Sequence, residues 1–140
     1  MNKTLNSGHV NKRILIAKLG LDGHDKGAKI IINFLKESGY EVIYSGLHKS
    51  PKQVANIAIQ EDVVAIGVSI LSGSHLELIA ELVNELNSMS SRTKIIFVGG
   101  TIPNPDINSL LKIGISAVFP TGSKVIEILE WLKHQLYNIG

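Results

Sequence analysis

Five short apolar runs alternate along the chain with five stretches in which apolar residues recur every three or four positions. RILIAK (13–18), EVIYSG (41–46), VVAIGVSIL (63–71), KIIFVGG (94–100) and SAVFP (116–120) have the length and composition of strands. The third is apolar almost throughout, as strands buried on both faces of a parallel sheet are. Between the first two runs, AKIIINFLKESG predicts a helix from about Lys26, with Ile31, Phe34 and Leu35 near one face and Gly39 as its stop. Ser50 and Pro51 open a second helix, proline at its first position, carrying Val54, Ile57 and Ala58. A third runs from His75 to Leu86, with Leu78, Ile79, Leu82 and Leu86 inward. PDINSLLKIG is a short fourth ending at Gly114. The last, from about Ser123 to Tyr137, turns Val125, Ile128, Leu129, Leu132 and Leu136 inward. Its Trp131 suits a core, an edge or an interface equally.

Strict alternation of strand and helix implies right-handed crossovers and an α/β fold with a five-stranded parallel sheet, helices on both faces. The expected strand order is the flavodoxin-like 2-1-3-4-5. Strands one and three are then neighbours whose connections leave on opposite faces. The crevice at their C-terminal ends is the default ligand site.

Length and composition narrow the choices. With 140 residues the chain suits one domain with a full core. Residues 12–140 are expected to form it, behind a polar tail at 1–11 that holds His9. There is no cysteine, which excludes thiol nucleophiles, disulfides and thiolate metal sites. The net charge of +2 and sparse aromatics give no nucleic-acid footprint. No window reaches the ~18 apolar residues of a membrane span, and the N-terminal segment lacks a leader's apolar core. A cytoplasmic address is expected, without membrane or nucleic-acid partners.

KLGLDGHDKGAK (18–29) is the odd segment, placing Asp22, His24 and Asp25 among glycines where strand one ends. Residues two apart in an extended stretch point the same way, so Asp22 and His24 can meet. A carboxylate on one ring nitrogen orients the imidazole and raises the donor strength of the other. Lys18 can stand behind Asp22 and keep it ionised. Gly20, Gly23 and Gly27 permit tight turning and close approach by a bulky group. A zinc site wants three or four ligands, and no second histidine has zinc spacing. A metal already held by a macrocycle needs one axial ligand from the protein, and His24 suits that role. The rival reading is a loop histidine tied down by Asp22 for stability. Asp25 also suits a helix N-terminal charge.

Further segments converge on the same sheet edge. Ser69 is placed to hydrogen-bond in the crevice, with Leu71 as apolar wall. Gly99 and Gly100 end strand four, and Thr121, Gly122 and Ser123 join strand five to the last helix. Bare backbone there lets an organic tail lie close, and the last helix's first amides can donate to its polar groups. Ser72 and Ser74 suit capping. His75 suits a helix cap or the crevice border, and His48 and His134 the surface.

At these residues the sequence resembles the cobalamin-binding domain or small subunit of the methylmalonyl-CoA mutase family, the adenosylcobalamin-dependent acyl-CoA mutases. The likeness spans about residues 12 to 137. The family's DxHxxG stands as DGHDKG, its SxL as SIL and its GG as Gly99-Gly100, with GAK and VGG-x-IP close to the acyl-CoA branch. The resemblance implies that His24 replaces the cofactor's own base as lower ligand of cobalt, the metal of the site. It implies that Asp22 and Lys18 form the relay behind His24. Gly23, Asp25 and Gly27 then belong to the cofactor-binding loop. By the same likeness Ser69 and Leu71 line the slot for the detached base, and Gly99 and Gly100 wall the tail. Thr121, Gly122 and Ser123 replace a Pro-Gly-Thr turn of the family.

The implied chemistry is cofactor-borne: a radical 1,2-rearrangement of methylmalonyl-, isobutyryl- or 2-hydroxyisobutyryl-CoA. A barrel to enclose substrate needs about 250 residues of eightfold strand–helix series, absent here. The resemblance then implies a separate large TIM-barrel subunit that binds acyl-CoA as the expected partner, in a heteromer. A glutamate-mutase-type small subunit shares the architecture. A corrinoid methyl-transfer protein shares the loop, but commonly carries a helical cap that the dozen residues before strand one do not supply. A response-regulator-like module wants an acidic pocket at the strand ends, which Asp22 and Asp25 alone do not make. A cobalamin-dependent regulator wants a DNA-reading helix.

Overall fold

A computed structural model describes residues 11–20, 23–70 and 75–138. The strands are β1 (Arg13–Lys18), β2 (Glu41–Tyr44), β3 (Ala65–Ile70), β4 (Ile95–Gly100) and β5 (Ala117–Pro120). The helices are α1 (Lys26–Glu37), α2 (Pro51–Gln60), α3 (His75–Ser88), α4 (Asn104–Ile113) and α5 (Val125–Asn138). All strand pairs are parallel, in the order β2-β1-β3-β4-β5. Both the class and the strand order match the expectation from alternation.

The central strands read as continuous apolar runs because both of their faces are buried. Leu15, Ala17, Ile66, Val68 and Val98 pack with Val54 and Ala58 of α2, Ile79 and Leu82 of α3, and Leu110 of α4. On the opposite face Ile14, Ile16, Ala65, Ile95 and Phe97 pack with Ala28, Ile32 and Leu35 of α1 and Leu132 and Leu136 of α5. The side-chain period of two assigns alternate residues of each strand to the two cores.

Local signals set several boundaries. Ser50 accepts from the Gln53 amide at 3.1 Å while the Gln53 side chain accepts from the Ser50 amide at 2.9 Å. That reciprocal pair starts α2 with Pro51 behind it. α5 begins at Val125, two residues after the predicted start, because Ser123 closes a turn onto the Pro120 carbonyl at 3.0 Å.

The inward face of α1 differs from expectation. Phe34 is 43% exposed, and Ile32 is buried with Ala28 and Leu35. Three successive isoleucines at 30–32 fit more than one helical phase, and the close seat of Ala28 against the sheet selects one. Ile57 and Leu78 are half-buried, while Val54, Ala58, Ile79, Leu82 and Leu86 are buried as expected. Trp131 is half-buried in an aromatic triad, its ring 5.7 Å from Phe97 and 5.6 Å from Phe119 in edge-on geometry. Among the described residues no helix is long and apolar enough to cross a membrane.

Candidate functional site

A cavity of about 220 Å³ opens between the C-terminal ends of the central strands and the helices α1 and α5. Sheet register sets its layers. Ile16, Gly67 and Phe97 are partners across β1, β3 and β4 and form a deep row. Two residues further along, Ser69, Gly99 and Phe119 form an outer row. Gly27 and Ile31 of α1 and Val125 and Ile128 of α5 make the side walls. Gly100, Thr121, Gly122 and Ser123 close the β4 and β5 end. Drug-sized ligands fill roughly 300–1,000 Å³, so a slot of this volume has room for only part of such a molecule.

Seven predicted site residues meet here: Gly27, Ser69, Gly99, Gly100, Thr121, Gly122 and Ser123. Gly100 has a physical reason to be glycine. Its φ is +125°, and a Cβ would fall on the Ile70 carbonyl, where the Thr101 amide donates at 3.0 Å. The Thr101 and Thr121 hydroxyls lie 3.4 Å apart at the exposed rim.

The loop after β1 is tied to the loop after β2. Leu19 bridges Lys49, and the Gly20 amide donates to the Lys49 carbonyl at 2.9 Å. Lys18 is 1% exposed at the end of β1. Its amide donates to Ser45 Oγ and its ammonium to the Ser69 carbonyl, both at 3.1 Å. The lysine thus fastens β1 to β3 where the two connections diverge. His24 is exposed on the loop, three residues before the Gly27 wall. A Cβ on Gly23 would come within 3.8 Å of His48 Nε2. Asp25 stands at the N-terminus of α1 without a side-chain cap and pairs with Lys29 at 3.2 Å. Gly23, His24 and Asp25 therefore sit on the loop rather than in the slot. Asp22 and Leu71 lie outside the described residues, as do Ser72, Ser74 and residues 1–10.

His75 takes neither expected place. It is 8% exposed and meets Asp106 of α4 at 3.1 Å, joining α3 to α4 away from the slot. His48 and His134 are exposed, as expected. Among the described residues no group of three or more His, Asp or Glu could hold a metal ion.

The strongest site feature missed from sequence is Gly67. A Cβ there would lie 2.5 Å from Phe97 Cζ and 2.9 Å from Ile16 Cδ1, so the glycine keeps the deep row open. A lone glycine inside an otherwise apolar strand is the available signal. Val125 and Ile128 were predicted inward, yet they line the slot and are half-buried.

A flavodoxin-like sheet with a glycine-walled slot at the ends of its strands, next to a histidine-bearing loop, defines a cofactor-binding domain. The family profile described as B12 binding domain matches residues 12–130, and the chain belongs to that family. Over 106 residues it is 43% identical to the 2-hydroxyisobutanoyl-CoA mutase small subunit of Aquincola tertiaricarbonis, covering 76% of this chain and 78% of that one. It is 41% identical over 113 residues to the mitochondrial methylmalonyl-CoA mutase of Pongo abelii. That match covers 81% of this chain and 15% of the enzyme. A cobalamin-binding protein from Desulfitobacterium hafniense DCB-2 superposes with a TM-score of 0.75 at 21% identity, over 87% of this chain and 57% of that one. The last likeness speaks for the fold alone.

Proposed function

We propose that the chain is the cobalamin-binding small subunit of an adenosylcobalamin-dependent acyl-CoA mutase. The observation that carries this is the slot itself: seven residues from four separate segments surround a space of base size, beside the loop that exposes His24. The glycine walls and apolar floor suit a flat heterocycle, and the exposed imidazole suits a cobalt held by a corrin. The two kinds of mutase relative support the reaction class.

In this reading His24 would supply the protein's ligand to cobalt, and the slot would hold the cofactor's own base. Asp22 orients His24, and Lys18, buried at the end of β1, holds the base of that arrangement. Ser69 donates to or accepts from the base, while Gly99 and Gly100 lie against the tail and Thr121, Gly122 and Ser123 shape its exit. Bound adenosylcobalamin supplies a cobalt–carbon bond whose homolysis starts a radical 1,2-rearrangement. The chain's own part is to bind, orient and exclude water below the corrin. A separate large subunit with a TIM barrel binds the acyl-CoA and covers the upper face. Methylmalonyl-, isobutyryl- and 2-hydroxyisobutyryl-CoA are the candidate substrates.

The test is electron paramagnetic resonance of bound Co(II) cobalamin in protein labelled with ¹⁵N-histidine. The expected spectrum shows ¹⁵N coupling in the parent and none in His24→Ala. Coupling to the unlabelled nitrogen of the cofactor's own base in the parent would refute the His24 role. Asp22→Ala is expected to weaken cobalamin binding by about 10–100-fold with the fold retained. Turnover of one of the three CoA thioesters by the chain and its large subunit would set the substrate.

A further inference from the structure

A second hollow, of about 390 Å³, runs along α5 and reaches the edge of the sheet where β1 and β2 begin. Lys12 stands just before β1, and Ser38 and Tyr40 lie between α1 and β2. From α5 come Ile126, Leu129, Glu130, Lys133 and Tyr137, whose spacing puts them on one helical face about 16 Å long. No residue lines both this hollow and the slot. Ile126 is 57% and Tyr137 49% exposed, so α5 leaves apolar surface open to water here. Among the described residues, none of the six polar side chains around the hollow takes part in a hydrogen bond or ion pair. Burial, and secondarily Tyr137, raise the Tyr40 phenol above its ordinary range, so the two phenols are within electrostatic reach of each other.

Unpaired donors outnumber acceptors. Lys12, Lys133, Tyr40, Tyr137 and Ser38 can all donate, and only Glu130 is confined to accepting. Two ammonium groups stand against one carboxylate. We propose that this hollow is a binding site for a small amphipathic anion, with an acceptor-rich acidic group to match the surplus of donors and an apolar body to match Ile126 and Leu129. A cation would meet the two lysines, and a purely apolar molecule would take water from the donors without replacing its hydrogen bonds. A bare inorganic anion would gain nothing from the apolar face. The volume lies within the roughly 300–1,000 Å³ of small-molecule sites. This inference is independent of the cobalamin reading.

The test is fluorescence titration of the full chain with 8-anilinonaphthalene-1-sulfonate and with N-phenyl-1-naphthylamine, which has the same rings without the sulfonate. The expected result is saturable binding of one equivalent of the sulfonate, about tenfold or more tighter than binding of the neutral dye. Lys133→Glu should weaken the sulfonate about tenfold or more, with Lys133→Gln in between, a graded order that misfolding does not produce. Tyr137→Phe should weaken it about threefold through the lost hydroxyl. Equal binding of the two dyes overturns the preference for an anion. Sulfonate binding unchanged in Lys133→Glu but lost in Ile128→Gln, on the wall of the slot, overturns the location. Loss of the dye site as the chain is concentrated into a dimer also overturns the inference, by showing that a second copy covers the hollow. Corrinoid binding, read on the same preparations, should be the same in Lys133→Glu as in the parent, so failure of this site and failure of the cobalamin reading are seen separately.

Discussion

Gly67→Ala adds a single methyl group where the slot's floor meets the core. The new carbon would lie 2.5 Å and 2.7 Å from two Phe97 ring atoms and 2.9 Å from Ile16 Cδ1. Carbon atoms rest at about 3.5–4.0 Å, so about 1 Å of clearance must be made. The Phe97 ring is braced edge-on by Phe119 at 6.3 Å and Trp131 at 5.7 Å, so it yields with difficulty on that side. The cavity offers the open space. Overpacking of this kind costs about 1–3 kcal/mol. For a domain of this size, that lowers the melting temperature by about 3–12 °C. Any relief that moves Phe97 into the slot shrinks it, so cobalamin retention should fall as well. Calorimetry and equilibrium filtration on one preparation read both effects. Phe97→Leu, added to Gly67→Ala, should recover part of the lost stability, a coupling of about 0.5–3 kcal/mol. An unchanged melting temperature together with unchanged cofactor retention in Gly67→Ala would refute the assignment of Gly67 as the residue that keeps the floor open.

Other expectations follow from single contacts. Ser50→Ala removes the hydroxyl that accepts from Gln53 and should cost about 1 kcal/mol in urea unfolding, without changing cofactor affinity. Asp106→Ala takes from the buried His75 its partner at 3.1 Å, while His75 Nδ1 has no partner among the described residues. A loss of about 1–3 kcal/mol is expected, and Asp106→Asn should restore much of it. Burial, and secondarily the neighbouring Tyr137, raise the Tyr40 phenol above its ordinary 10.0. Below that value both folded and unfolded chains keep the proton, and the contribution to stability is complete. As pH rises beyond it the unfolded chain ionises first, so stability falls until the folded phenol ionises too. Urea midpoints from about pH 9 to about pH 11 should show that fall, and Tyr40→Phe should flatten it.

The slot was partly legible in the chain because backbone requirements leave marks on residue type. Gly99-Gly100 and Thr121-Gly122-Ser123 stand out as turns after apolar runs, and they do close one end of the cavity. Ser50 and Pro51 mark a helix start by purely local chemistry, and the hydrogen bonds are there. Gly67 was harder to see, since its reason lies in Phe97 and Ile16 on two other strands. The pairing of His75 with Asp106 joins residues 31 positions apart on different helices, and no periodicity encodes it.

Alternation of apolar runs with helical patterns was enough to determine the parallel sheet, its order and the edge where the cavity opens. These follow from chain connectivity and from the handedness of crossovers, which act on any sequence of this pattern. Tertiary packing decided the rotation of α1, which buries Ile32 and leaves Phe34 exposed. Packing also decided that Trp131 completes an aromatic triad and that the slot is apolar at its floor and polar at its mouth. Rotation, ring stacking and cavity lining depend on which atoms meet across elements distant in the chain. A one-dimensional pattern of apolar and polar residues holds no record of those meetings.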